Sequence, residues 1–135
     1  MGMNDAVWPC VKLNIADSAN LSLLGMPDAL QRKVERAVLV PTDEIPADVV
    51  TMLSRVVVVD VATAQRREVA VVYPAEADPA AGRVSVLDAL GTALFGATIG
   101  ETIECEIAGE RCRLRIEEML YQPERWMRMH LVVRQ

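Results

Sequence analysis

The sequence predicts an α+β protein: a short N-terminal helical hairpin, then an antiparallel sheet that carries one short helix. Three observations predict it. "DSANLSLL" and the run from Pro27 to Leu39 both have helical spacing and meet at a turn containing Gly25 and Pro27. "RVVVVDV" is β-branched, and "REVAVVYP" follows it after "ATAQR", a spacing suited to an antiparallel pair. "IECEIAGERCRLRI" alternates on both sides of Ala108 and Gly109, the pattern of a hairpin with a two-residue turn.

Taken in order, "VKLNI" alternates as a strand does but is too short to assign. From Asp17 the chain offers a capped helix of about two turns, with Gly25 as terminator and Pro27 suited to the first turn of the next helix. That second helix, to about Leu39, gathers Leu30, Val34, Ala37 and Val38 on one stripe and leaves Arg32, Lys33, Glu35 and Arg36 on the others. At about 1.5 Å per residue the longer arm spans roughly 18 Å, so it acts close to the main domain. "PTDEIPADVV" breaks the helical pattern with its prolines and acids and marks a connection. The expected organisation is an N-terminal segment, 1–50, a sheet domain, 51–125, and a tail, 126–135.

Pro74 ends the second strand of the first pair, and "PAEADPAAG" is a turn-rich loop. In "RVSVLDALGTALFG", Ser85, Val86 and Leu87 alternate as an edge strand. Asp88 then caps a helix in which Leu90, Ala93 and Leu94 share a face and which Gly96 stops. In the last hairpin a turn at Ala108 and Gly109 sets Cys105 opposite Cys112 and Ile103 opposite Leu114. The two cysteines read as small apolar core thiols.

The composition excludes several functions. Apolar residues make up 52% of the 135, yet no run approaches the roughly 20 that a membrane-spanning helix needs. "MGMNDAVWPC" lacks the basic-then-apolar order of a secretory signal, so a cytoplasmic location is expected. A net charge of -5 argues against independent nucleic-acid binding. Cys10, Cys105 and Cys112 have no zinc-ligand spacing, His130 stands alone, and neither a phosphate-binding glycine loop nor a serine elbow is present. No catalytic residues, metal or cofactor are expected, and the chain reads as a binding module.

The motifs "PADVVTMLSRV", "VVYPAEAD", "RVSVLDALGTALFGATIGETI" and "YQPE", in that order between Asp17 and Glu124, resemble the Rnk family, described as regulators of nucleoside diphosphate kinase. Its carboxyl domain is similar to that of the Gre transcript-cleavage factors. The resemblance implies an FKBP-like carboxyl domain and a non-enzymatic regulator that binds RNA polymerase at the rim of its secondary channel. Gre factors stimulate cleavage through acids at a coiled-coil tip, whereas the tip here, Gly25, Met26, Pro27 and Asp28, has one acid, so cleavage stimulation is not expected.

Carried over to this chain, the polymerase-facing residues are Ser85, Leu87, Asp88, Ala89 and Leu90, with Ala89 where the family usually has proline. Asp88 is read as cap, docking acid or both, and Leu87 or Leu90 as an apolar anchor; Leu90, like Leu94, reads equally as core. Two alternatives stand beside this: direct binding to nucleoside diphosphate kinase, and peptidyl-prolyl isomerase activity. The isomerase needs an aromatic-lined pocket, and the chain has one Phe, two Tyr and two Trp. Trp126, Met127, Met129, Leu131 and Val133 of the tail suit a sheet extension or a homodimer contact.

Overall fold

A computed structural model describes residues 12–23, 25–41 and 44–126. The first unit is a βααβ arrangement: β1 (Lys12–Asn14), α1 (Ile15–Ser22), α2 (Asp28–Arg36) and β2 (Val38–Val40), with β2 parallel to β1. Strands flank the two helices, and the second helix is shorter than the run from Pro27 to Leu39 that the sequence suggests. The second helix stops at Arg36, and the chain turns extended at Ala37. Val38 and Val40 are β-branched, and Pro41 biases Val40 away from helical geometry, so these residues pair with β1 and do not continue the stripe.

α1 begins three residues earlier than a cap at Asp17 would give, because Asn14 caps it: the Asn14 side-chain oxygen accepts the Ala16 N–H at 2.8 Å. Gly25, at φ 77°, makes the turn between the helices.

The second part is a five-stranded sheet in the order β5-β4-β3-β7-β6, formed by β3 (Arg55–Asp60), β4 (Arg66–Val72), β5 (Arg83–Ser85), β6 (Thr102–Ile107) and β7 (Glu110–Tyr121). Neighbours run antiparallel except at the β5 edge, where β5 lies parallel to β4 after two 3₁₀ turns at Pro74–Glu76 and Pro79–Ala81. The β6–β7 register agrees with the alternation: Cys105 faces Cys112 and Ile103 faces Leu114. Ala108 and Gly109 both have positive φ, 55° and 83°, as a two-residue hairpin turn of this hand requires. Of the two thiols, Cys105 packs against the edge of the core cluster and Cys112 does not. Both are free and half-buried near the hairpin end, and burial raises the Cys105 pKa, away from a reactive thiolate.

One apolar cluster serves both parts. Leu13, Leu21 and Leu30 of the first unit are fully buried among Val56, Val58, Val69, Val71, Leu114 and Ile116 of the sheet, with Leu90 and Leu94 from the helix α3 (Ala89–Leu94) and Phe95 just after it. α3 packs with its backbone almost on the preceding turn. A Cβ placed on Gly91 would stand 2.0 Å from the Ser85 carbonyl oxygen. Gly91→Ala is therefore expected to displace α3 and cost on the order of 3 kcal/mol, read as a drop in thermal unfolding temperature, whereas Ala93→Gly should cost about 1 kcal/mol or less.

Candidate functional site

The turn between β5 and α3 is built by its own hydrogen bonds. Val86 N–H continues the parallel ladder to the Val72 carbonyl at 2.9 Å. The Ser85 hydroxyl accepts the Leu87 N–H at 3.1 Å, and the Ser85 carbonyl accepts the Asp88 N–H at 3.0 Å. Thr92 then ties the helix back to the turn, donating its hydroxyl to the Val86 carbonyl at 2.7 Å and its N–H to the Asp88 carbonyl at 2.8 Å. The hydroxyls of Ser85 and Thr92 thus brace the turn as a platform.

The five sequence-derived residues divide on this platform. Ser85 and Leu90 are 6% and 7% exposed, so they hold the turn from beneath. Leu87 is half-buried and rests on the core cluster, while Asp88 and Ala89 face solvent. Asp88 occupies the N-cap position of α3, but its side chain makes no capping hydrogen bond; the expected cap is supplied by backbone position alone. Its carboxylate is thus available to the exterior.

Sequence reasoning missed a second polar assembly, at the seam between the N-terminal unit and the sheet. Glu124, the acid of "YQPE", is 3% exposed and accepts hydrogen bonds from Asn14 Nδ2 and Thr51 Oγ1, each at 2.7 Å. Gln122 donates Nε2 to the carbonyls of Pro46 and Val49 at 2.7 and 2.8 Å. The motif therefore fastens the end of β7 to both the first unit and the 46–51 connection. The Asp17 carboxyl beside it accepts the Met52 N–H at 3.2 Å. Burial pushes the Asp17 pKa up to about 7; the Met52 hydrogen bond opposes the rise and the charge of Glu124 adds to it.

Lys33, expected among the solvent-facing residues of its helix, turns inward. Its Nζ donates to the carbonyls of Thr92, Ala93 and Phe95 at 2.7, 3.1 and 2.7 Å, closing the C-terminal end of α3. Burial lowers its pKa to about 8, with Glu101 acting the other way. Three carbonyls claim all three N–H groups of an ammonium.

An open cleft on the sheet is lined by Leu53, Arg55, Glu76, Asp78, Arg83 and Tyr121 among others, and Tyr121 is the one aromatic residue in it among the described residues. This is a poor match to an aromatic-lined proline pocket. Of the tail residues named above only Trp126 lies within the described residues, where it is exposed.

Comparison with known proteins places this architecture. Residues 45–121 match the family described as "Transcription elongation factor, GreA/GreB, C-term". The regulator of nucleoside diphosphate kinase of Escherichia coli (strain K12) is 33% identical over 126 residues, covering 86% of this chain and 93% of that protein. The chain belongs to the Rnk family. The Rnk-family chain is also 39% identical over 75 residues to the transcription elongation factor GreA of Clostridium botulinum (strain Eklund 17B / Type B), spanning about half of that protein, 47%. Among solved structures, the prokaryotic transcription elongation factor GreA/GreB from Nitrosomonas europaea superposes with a TM-score of 0.72 at 32% identity, covering 84% of this chain and all of that one. The region shared with the GreA/GreB family contains the whole β5–α3 platform.

The Asp17 shift sets a pH dependence. The folded state holds the Asp17 proton more tightly than the unfolded chain does, so the stability from this group is full below the ordinary value near 3.8 and is lost as pH rises to about 7. Asp17→Asn should remove that decline and melt at a higher temperature than the wild type at pH 8, with little difference at pH 4. Thermal unfolding across this range reads it directly.

Proposed function

We propose that this protein is a non-enzymatic regulator of transcription elongation that binds RNA polymerase near the secondary channel through the β5–α3 turn. The observation that carries the reading is the hydrogen-bonded turn, which presents Asp88 and Ala89 to solvent above a half-buried Leu87 within the GreA/GreB-matching region. Asp88 meets a basic patch on the polymerase, Leu87 supplies the apolar contact, and Ser85 and Leu90 fix their geometry from below.

On this reading the protein does not stimulate transcript cleavage. Holding a hard cation needs several converging carboxylates, and the turn from Leu23 to Asp28 carries one acid beside a leucine that is 86% exposed. The two helices also give their apolar sides, Leu21 and Leu30, to the common core. The protein therefore occupies the docking position of longer factors without delivering their chemistry. The name of the Escherichia coli relative favours a second reading, direct binding to nucleoside diphosphate kinase.

A titration of labelled full-length protein against core RNA polymerase, with GreA as competitor, tests the proposal. Saturable, competable binding is expected. Asp88→Arg should weaken it at least tenfold while costing under about 0.5 kcal/mol of stability, because the side chain makes no capping bond. Absence of binding at micromolar polymerase overturns the proposal, and binding to the kinase under the same conditions supports the second reading.

A further inference from the structure

α3 is held at both ends by groups outside it. At its start, Thr92 donates to the Val86 carbonyl, and the missing side chain of Gly91 lets the helix lie against Ser85. At its end, Lys33 of α2 fills two carbonyls that the helix itself leaves open, those of Thr92 and Ala93, and that of Phe95 just beyond it. At about 1.5 Å per residue the helix is a strut of about 9 Å between the Lys33 ammonium and Asp88. Leu30, three residues before Lys33, is fully buried in the core, so the position of α2 is itself fixed.

We infer that Lys33 is a positioning residue for the β5–α3 docking turn, and that seating of the N-terminal unit and engagement of a partner at Leu87–Ala89 are coupled through α3. The coupling rests on the docking reading above. A six-residue helix has too few internal bonds to keep its direction alone, so releasing its C-terminal carbonyls loosens the segment that orients Asp88. Linkage makes the effect reciprocal: a partner that requires the seated turn tightens the hold of α3 on Lys33 and stabilises α2. The N-terminal unit thereby contributes to binding without touching the partner.

The test uses the full-length protein with Lys33→Met, beside Val59→Ala or Val57→Ala, whichever matches its melting temperature; both valines are buried in β3 but lie outside the cluster that receives α3. Where Lys33→Met does not fold, Lys33→Gln, which keeps two donors on a shorter stem, takes its place. Hydrogen exchange in the free protein should accelerate at least tenfold across residues 86–95 in the lysine variant and much less in the valine control. Affinity for core polymerase should fall at least fivefold in the lysine variant alone. Polymerase should slow exchange in residues 28–36 of the wild type and not of the lysine variant.

Unchanged exchange in residues 86–95, or an equal affinity loss in the control, overturns the inference. Failure of the wild type to bind polymerase overturns the functional proposal instead, and the exchange comparison still decides whether Lys33 orders the turn.

Discussion

A helix of six residues does not hold itself in water, and α3 persists because its surroundings hold it. Leu90, Leu94 and Phe95 sink into the common core, Gly91 lies on the Ser85 carbonyl, and Lys33 closes the last carbonyls. The sheet, the βααβ unit and the exposed turn all meet on this one element. The 46–50 connection joins it too: Val50 N–H donates to the Ala97 carbonyl, and Gly96 N–H to the Val50 carbonyl, each at 2.8 Å.

The polar seam follows the same logic with different chemistry. Burying a carboxylate is costly unless its oxygens are satisfied, and Glu124 has a donor on each. Those donors come from opposite sides, Asn14 from the first unit and Thr51 from the connection. The arrangement fixes where β7 must end relative to β1. Asp17, a few residues along, is less well provided, and this explains why its proton is retained so far into the neutral range.

What could be read from the sequence was what local rules control. The β6–β7 register followed from alternation and a two-residue turn, the β3–β4 pair from its β-branched run, and the α3 boundaries from Asp88 and Gly96. β2 was hidden because Val38 fits the apolar stripe of a helix as well as it fits a strand; the tie was broken by pairing with β1, a contact 26 residues away along the chain. Lys33 was hidden for a related reason, since a lysine beside an apolar stripe looks the same whether it snorkels to water or reaches a neighbouring helix end. Within the candidate site, the resemblance identified the turn, but only the packing separated Asp88 and Ala89 from the buried Ser85 and Leu90. "YQPE" was recognisable as a motif, while its roles depend on Asn14, Pro46, Val49 and Thr51, which no spacing rule connects to it.

The order of the five-stranded sheet bears on how the protein behaves at high concentration. Its two ends are β5, three residues long, and β6, which sends Thr102, Glu104 and Glu106 to the exposed side. A short strand offers few open hydrogen-bonding groups, and a second copy laid along β6 in a way that brought these acids together would meet like charge. The sheet is thus guarded against growth by strand addition at both margins, which leaves the molecule free to carry an exposed leucine at its helical tip without turning its β-structure into a template for aggregation.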